Sequence, residues 1–586
     1  MCGIVGFIGE PIKGKIITGA LKKLEYRGYD SWGVAFLSGK KITFFKAVGE
    51  INGIPKKIQE IKSGLAIGHT RWATHGKINE VNAHPHVSAG NKLTLVHNGI
   101  IENFSELKKE LCSHNFCSET DSEVVLHLIE ENLSKGMDLL HSVSKSVSVL
   151  KGSFSLLVFS SDEPDKLIAV KNESPLLLGI SDKGIFAASD QIPLSSFTDK
   201  FVFLEDKDIA LISKNKFQCF DFDLNKVERK ILKVKSDVTS SGKLKYSHFM
   251  LKEIMEQPFV LRNALEQEKK IFNEIFLMMK NSSVFFIANG TSFNASLFGK
   301  EFFSRISGIF PQVIDASEFP YQVDFLPKNS LIFALSQSGE TADVLDSVKK
   351  AKKKGFKIVS MVNVFNSSLA RASDKVIYLN CGEEIGVAST KAFTSQIALL
   401  YLLASSCAGK FDSALTELKK VFLKMQQSIE LNKNSIKFLS EKFKSVKDVY
   451  FIGRSLNYPL ALEAALKLKE ISYIHAEAFP AGSLKHGPLA LISDGVPVIV
   501  VAPKDSVFSD TINNAIEAKS RGAFIVGIGD EENPVFDFFI KIPKVKELLF
   551  PLILIPPLQL LAFHTAVFLE RNPDKPRNLA KVCTVK

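Results

Sequence analysis

The chain has 586 residues, 45% hydrophobic and 23% charged, and a net charge of +11. That length exceeds what one core can serve and implies three or four domains, while the composition excludes a disordered or collagen-like chain. The lysines are spread along the whole sequence with no basic run interleaved with aromatics, so the charge fits a diffuse cationic surface for anionic small molecules and excludes a nucleic-acid footprint.

Cys2 is the first informative residue, in Met1-Cys2-Gly3-Ile4-Val5-Gly6. Removal of Met1 would put a thiol and a free α-amine on one residue. An amine titrating near 7.7–8.0 can serve as base for the thiol beside it. The alternative is a small core residue opening a strand over Cys2–Ile8. Ile12, Ile16, Ile17, Ala20, Leu21 and Leu24 then fall on one helical face. Histidines recur in His69-Thr70-Arg71-Trp72-Ala73-Thr74-His75-Gly76, in His84-Pro85-His86 and in His97-Asn98-Gly99. A metal site is weighed there and set aside, because no cysteine or close carboxylate stands at ligand spacing. Arg71 suits a carboxylate and the Asn98-Gly99 turn suits an oxyanion, so acyl transfer fits better. Asp121 either pairs with an ammonium or caps a helix before Val124, Val125 and Leu128. The cysteines (Cys2, Cys112, Cys117, Cys219, Cys381, Cys407, Cys583) include no CxxC pair, which fits a reduced, cytoplasmic protein.

A boundary is expected in the polar stretch Asp221–Lys243, as a linker over residues 221–247. Beyond it the pattern repeats. Val284–Asn294 and Val449–Asn457 are each an apolar strand, a small polar turn and a helix. Strands at Leu331–Leu335 and Lys357–Met361 follow the first copy, and at Val496–Ala502 and Ala523–Gly527 the second. Such alternation predicts two doubly wound parallel sheets. After Leu331–Leu335 comes Ser336-Gln337-Ser338-Gly339-Glu340-Thr341, then a helix. Three hydroxyls at a helix N-terminus indicate a phosphate site, with ordinary N-capping as the alternative. The second copy has Val501-Ala502-Pro503-Lys504-Asp505-Ser506 there, without the hydroxyls.

In the second copy, the helix Tyr458–Ile471 carries Glu463, Lys467 and Glu470 on one face. A solvated stripe and a catalytic set are equally consistent with that spacing. Downstream, His486 lies in a loop bounded by Gly487 and Pro488. The apolar segment Leu548–Leu569 is interrupted by Pro551, Pro556 and Pro557, which predicts a buried loop followed by a core helix from about Leu558, not a membrane span.

Taken together these residues resemble the glutamine–fructose-6-phosphate aminotransferase (isomerizing), or glucosamine-6-phosphate synthase, family over essentially the whole chain. The resemblance rests on Cys2–Gly6, Tyr26–Ser31, His69–Gly76, His97–Gly99, Ser336–Thr341, Glu384–Thr394, Leu462–Glu477 and Pro576–Lys581. It implies an α/β and α+β multidomain chain: an N-terminal-nucleophile αββα glutamine amidotransferase sandwich over 2–220, sugar-isomerase (SIS) domains over 275–415 and 445–576, and a tail over 577–586 that completes the sugar site. It implies that Cys2 attacks the glutamine amide, that Asn98 and Gly99 form the oxyanion hole, that Arg71, Thr74, His75 and Asp121 bind glutamine, and that Trp72 gates a channel for ammonia. Ser336, Gln337, Ser338 and Thr341 would bind the sugar phosphate, and Val387 and Ser389 the sugar. Glu470 would move the proton, His486 open the ring, Lys581 form a Schiff base, and Lys467 and Glu463 support the enolamine. An apolar surround would raise the carboxyl pKa values and lower those of the lysines. No cofactor and no metal is implied. The partners are L-glutamine, fructose 6-phosphate and a second copy in a homodimer, with no nucleic acid and no membrane.

The chain departs from the family pattern at Asn289, where cysteine occurs, at Ser483, where glutamate is usual, and at Trp32, where a small residue is common and a second indole would stand near the glutamine pocket. An amidotransferase with another acceptor is disfavoured by the Ser336–Thr341 loop and the duplicated pattern. A sugar-phosphate-binding regulator is disfavoured by the intact Cys2, Glu470, His486 and Lys581.

Overall fold

The computed structural model describes residues 2–234, 243 and 245–584. The described residues divide into one compact unit over 2–234 and a second over 243 and 245–581, with 582–584 grouping with the first.

The first unit holds an eight-stranded and a seven-stranded sheet. The strand Gly3–Lys13 shows how alternation builds its layers. Ile4 and Ile8 enter the core between the sheets, with Val96, Leu157 and Phe159 of the other sheet. Val5 and Phe7 face the opposite way and join Ile17 and Leu21 of the helix Gly14–Lys22. On the second sheet, Leu95, Leu156 and Val158 turn outward to meet Val124, Val125 and Ile129 of the helix Ser122–Ser134 and Val143 of Leu139–Ser148. The layers are therefore α, β, β, α. Gly6 faces the inter-sheet core, where an added Cβ would stand 2.5 Å from Leu157.

Two expected boundaries shift. Ile12 belongs to the first strand and Leu24 lies past the helix, so the predicted helical face is shorter. The segment expected as a linker is only partly one: Lys226–Val227 pairs with Cys219–Phe220, and Leu232–Lys233 with Lys200–Phe201. Backbone pairing outweighs the polar composition there. Residues 235–242 and 244, within the same expected linker, lie outside the described residues.

The second unit holds two five-stranded parallel sheets with one strand order, in which the first strand lies between the second and third and the fourth and fifth follow. This repeats in three dimensions the repeat seen in sequence. Alternate residues of Ser283–Ala288 serve different layers: Phe286 and Ala288 join one large core shared with the helices, and Phe285 and Ile287 the opposite face.

The proline-bearing segment differs from its expectation. It is one continuous helix, Phe550–Phe568, packed against the helices Phe411–Lys442 and Asn457–Ser472. Over Glu547–Phe568 it is apolar and long enough to cross a membrane, but 89% of its most apolar window is buried inside the protein. Pro557 has no N–H for the carbonyl of Ile553, and the Ser428 hydroxyl donates to that carbonyl instead, at 2.8 Å. The same repair occurs at Pro258 inside the helix Phe249–Ala264, where Gln257 donates to the Ile254 carbonyl at 3.0 Å. Gln257 also donates to Gln559 at 2.7 Å and accepts from Thr394, so a buried polar network joins three helices.

Candidate active sites

In the first unit, Cys2 immediately precedes the strand Gly3–Lys13, which pairs with Lys62–Arg71. Its Sγ accepts the Trp72 N–H at 3.3 Å and approaches the Trp72 carbonyl at 3.6 Å. Arg27, almost fully buried and paired with Asp190 at 3.3 Å, donates to the Cys2 carbonyl at 3.3 Å. Burial pushes the thiol pKa up, with the Asp121 charge adding to this and the Trp72 N–H and Arg71 charge opposing it. The resting sulfur is thus a protonated thiol that needs a base. Cys2, Arg71 and Asp121 are brought within electrostatic reach of one another.

Arg71 is buried and donates to the carbonyls of His75, Gly76 (3.3 Å) and Lys77 (3.2 Å), which curls the following loop around its guanidinium. Thr74 is exposed on that loop, with its hydroxyl 3.4 Å from His75 Nδ1, and the His75 ring meets Phe104 at 5.2 Å. Asp30 accepts the Ala73 N–H at 2.9 Å. The Trp72 indole is half-buried, edge-on to Tyr29 at 5.6 Å. Asp121 does not cap the helix Ser122–Ser134; its buried carboxylate accepts the Ile101 N–H at 2.8 Å. His69 hydrogen-bonds the His97 carbonyl at 2.8 Å, tying the strand of Arg71 to that of Asn98 and Gly99. Gly99 has φ +119°, and an added Cβ would stand 1.9 Å from the Ser153 carbonyl, so only glycine fits. The Asn98 side-chain oxygen is buried and has no hydrogen-bond partner among the described residues.

The histidines His69, His84, His86 and His97 are all buried, and burial pushes all four pKa values down, that of His86 to about 3. They are neutral packing groups at physiological pH, with rings 4.1 Å apart for His69 and His84 and 4.6 Å for His84 and His86. Trp32 differs from its expectation. Its indole is sealed in the core on the helix side of its sheet, 5.3 Å from Phe45.

In the second unit, the strand Ser330–Ser336 delivers the hydroxyl loop to the helix Ala342–Lys353. Thr341 stands at the N-cap position but makes no capping bond; its hydroxyl lies 3.0 Å from that of Ser336. Ser336 accepts the Gly339 N–H at 3.0 Å, and Ser338 the Glu340 N–H at 3.1 Å. Gly339 takes φ +67°, and an added Cβ would stand 2.0 Å from Ser367 Oγ. The Gln337 carbonyl accepts from Asn363 at 3.0 Å. Backbone and hydroxyls thus form a cradle at a helix N-terminus, which suits an anion. In the second copy, Asp505 occupies the matching loop and accepts from Val507 at 3.0 Å and from Asn457 at 2.7 Å, so a carboxylate already fills that place.

The charged face of the helix Asn457–Ser472 is no solvated stripe. Glu463 and Lys467 side chains are 0% exposed and Glu470 is 21% exposed. Lys467 pairs with Glu470 directly and with Glu463 at 3.6 Å, and donates to Thr291 at 3.1 Å. Glu463 also accepts from Thr291 at 3.1 Å and from Asn294 at 2.9 Å. Burial pushes the Glu463 carboxyl up to about 7, against the opposing Lys467 charge. The expected lowering of the lysine is not found: burial acts downward on Lys467, but Glu470 and Glu463 outweigh it and raise its pKa. Asn289, the departure from the family pattern nearby, donates to Asp315 at 2.9 Å.

Lys581 pairs with the buried Glu384 at 2.6 Å. Burial alone would raise Glu384, but Lys581 and the N–H donors of Thr390 and Ala392, at 2.9 and 3.1 Å, hold it down at about 2. Ser389 donates to the same carboxylate at 2.8 Å, and the Val387 N–H to the Asp574 carbonyl at 3.1 Å. Glu384 also acts electrostatically on Lys467, so the two ion pairs form one charged cluster. His486 stands apart, exposed at the end of the turn Ala481–His486 that includes Ser483, with no hydrogen bond to these groups among the described residues.

Several residues here were given no site role from the sequence, although Arg27 and Asp30 lie in the Tyr26–Ser31 run and Thr291 and Asn294 in the Val284–Asn294 pattern. Arg27 and Asp30 hold the Cys2 site, and Thr291 and Asn294 hold Glu463. Glu253 is buried and accepts the N–H groups of Ile385 (2.6 Å) and Gly386 (3.1 Å). Burial beside Glu384 pushes its carboxyl up to about 8. Glu253 stands beside Lys252 and three residues before Glu256, so the sequence carries no signal that its carboxylate is buried.

The Glu463 shift has a measurable consequence. Its carboxyl is raised in the folded protein, so the native state binds the extra proton between about 4.5 and 7. Its destabilising contribution therefore grows as pH rises through that window. Relative to wild type, Glu463→Gln should gain on the order of 3 kcal/mol between pH 5 and pH 8. Chemical unfolding at both pH values measures this, and an unchanged difference would rule the shift out.

Comparison with known proteins places these sites in context. A glutamine amidotransferase domain model matches residues 69–195, and a SIS domain model matches residues 277–406 and again 442–569. The chain is 44% identical over 602 residues to a glutamine–fructose-6-phosphate aminotransferase (isomerizing) of Thermococcus kodakarensis, with all of both chains covered. It is 43% identical over 610 residues to the protein of that name in Thermotoga maritima, again with both covered in full. Among solved structures, the C-terminal domain of a glucosamine-fructose-6-phosphate aminotransferase from Francisella tularensis matches 57% of this chain and all of its own, at 35% identity and a TM-score of 0.53.

Proposed function

We propose that this chain, which belongs to the glutamine–fructose-6-phosphate aminotransferase (isomerizing) family, releases ammonia from glutamine at Cys2 and adds it to fructose 6-phosphate at the Glu463–Lys581 cluster. Glucosamine 6-phosphate and glutamate are the products, through an amidotransferase part over 2–220 and two SIS parts over 275–415 and 445–576.

At the first site, the α-amine of Cys2, freed by loss of Met1, takes the thiol proton, and the sulfur attacks the side-chain amide carbon. The Asn98 side-chain amide N–H and the Gly99 N–H receive the oxyanion, a role supported by the glycine-only backbone at position 99. Arg71 and Asp121 hold the α-carboxylate and α-ammonium, with Thr74 and His75 alongside. Ammonia leaves, and water hydrolyses the thioester to glutamate. Trp72, whose backbone holds the thiol, gates the departing ammonia.

At the second site, Ser336, Gln337, Ser338 and Thr341 cradle the phosphate, and Val387 and Ser389 contact the sugar. His486 opens the ring. Lys581 condenses with the C2 carbonyl, releasing water, and ammonia then displaces the lysine from C2. Glu470 carries a proton from C1 to C2, giving the C1 aldehyde and C2 amine. Lys467, kept cationic by its two carboxylates, stabilises the enolamine, and Glu463 supports it. Water is the only other product of the sugar step, so the atoms balance. We also infer a homodimer in the cytoplasm. The exposed Phe310 and Phe325 of one cleft support the first, and the free cysteines the second.

The observation that carries this reading is the buried Glu463–Lys467 pair with the partly exposed Glu470, coupled to the Glu384–Lys581 pair. Glutamine labelled with 15N at the side-chain amide, supplied with fructose 6-phosphate, tests it. The expected result is equimolar glutamate and a hexosamine phosphate labelled at C2. Glutamate without amino sugar, or amination of a phosphoribosyl or adenylate acceptor instead, would overturn it.

A further inference from the structure

We propose that His114, His127 and Glu130 bind a divalent transition metal such as Zn2+, at a site in the first unit that is separate from Cys2 and takes no part in the reaction. His127 and Glu130 lie one turn apart on the helix Ser122–Ser134, and His114 lies on the loop after the helix Phe104–Glu110. Their donor atoms converge. His114 Nδ1 and His127 Nδ1 are 3.1 Å apart, and Glu130 Oε2 is 2.7 Å from the second and 3.9 Å from the first. Two imidazole nitrogens bound to one tetrahedral zinc at 2.0–2.1 Å would be roughly 3.3–3.4 Å apart, so this triangle is close to the size the metal requires.

The outer ring atoms supply the independent argument. His127 Nε2 faces Glu123 at 3.6 Å, and His114 Nε2 faces Glu131 at 3.3 Å. Each imidazole thus turns Nδ1 inward and Nε2 to a carboxylate. This is how metal-bound histidines are oriented and their donor strength raised. The Glu123 carboxylate is itself fixed by the N–H groups of Cys117 (2.8 Å) and Ser118 (2.6 Å). Without a cation, two Nδ1 atoms face each other among three carboxylates. Two imidazoles and one carboxylate suit zinc-like ions better than Mg2+ or Ca2+, and three protein ligands leave a fourth position for water. The metal would pin the loop 111–120, which leads to Asp121, to its own helix.

The test uses the full chain carrying Cys2→Ser, so that the nucleophilic sulfur does not compete for metal. After chelator treatment, calorimetric titration with ZnCl2 should show one zinc per chain. Co2+ should give visible absorption of tetrahedral intensity, and zinc should raise the unfolding temperature. His114→Ala should weaken zinc at least about 100-fold and remove both signals, and Glu131→Gln should weaken it about 10-fold. Absence of binding, or equal binding by His114→Ala, would overturn the proposal and leave a proton shared between the two imidazoles as the account of their contact.

Discussion

Replacing Cys2 with alanine should reduce glutamine-dependent synthesis by more than about a thousandfold, some 4 kcal/mol of transition-state stabilisation, while ammonium salts still support amino-sugar formation. The asymmetry follows from the architecture. Cys2, Trp72, Arg71 and Asp121 belong to one compact unit; Glu463, Lys467, Glu470, Glu384 and Lys581 belong to the other, which contains no atom the substitution changes. The magnitude follows from the sulfur's environment. Burial raises the thiol pKa, so few molecules carry thiolate without a base, and no side-chain base is hydrogen-bonded to Sγ among the described residues. The α-amine of Cys2 is the base in reach. A chain that retains Met1 should therefore be as inactive with glutamine as Cys2→Ala, because that amine becomes an amide. Mass spectrometry of the N-terminus, with glutamate release and hexosamine formation measured separately, distinguishes the cases. Full turnover of glutamine by Cys2→Ala, or by a Met1-retaining chain, would remove Cys2 from its role.

Much of this arrangement was legible in residue order, and the rest was hidden for identifiable reasons. The paired strand–turn–helix patterns are local signals and placed both parallel sheets, whereas the α, β, β, α layers came from the family resemblance and not from any local pattern. The helix through Pro556 and Pro557 was not legible, because the donor that satisfies the Ile553 carbonyl is Ser428, 125 residues away. A proline forbids a helix only when nothing else reaches the carbonyl it abandons. The face of Glu463, Lys467 and Glu470 was recognised, but not whether it was buried. Spacing puts charges on one side of a helix; only Thr291 and Asn294, some 170 residues earlier, show that this side faces protein. The same fact reverses the lysine pKa. In apolar surroundings alone it would fall, yet two carboxylates at contact distance outweigh desolvation.

Lys581→Arg should separate the covalent role of the tail lysine from its ion pair. Arginine keeps the positive charge beside Glu384 and can form the bidentate contact that a buried carboxylate accepts. The Thr390 and Ala392 N–H groups and the Ser389 hydroxyl still hold that carboxylate, so the 384–392 loop should stay in place. What arginine lacks is a nucleophilic amine, since guanidinium does not deprotonate in proteins. The variant should therefore bind fructose 6-phosphate and hydrolyse glutamine, but make amino sugar at least about a thousandfold more slowly. Borohydride added with fructose 6-phosphate should attach the sugar to Lys581 in wild type and leave the variant unmodified. Lys581→Ala is the harsher change. It removes the cation nearest a buried carboxylate held at about 2, and a buried charge stripped of its partner costs about 3–5 kcal/mol, so weaker folding is expected of alanine and not of arginine. If Lys581→Arg forms glucosamine 6-phosphate at a tenth of the wild-type rate or better, the lysine acts only through its charge, and the sugar carbonyl must be activated by Lys467 and Glu470 from the neighbouring helix instead.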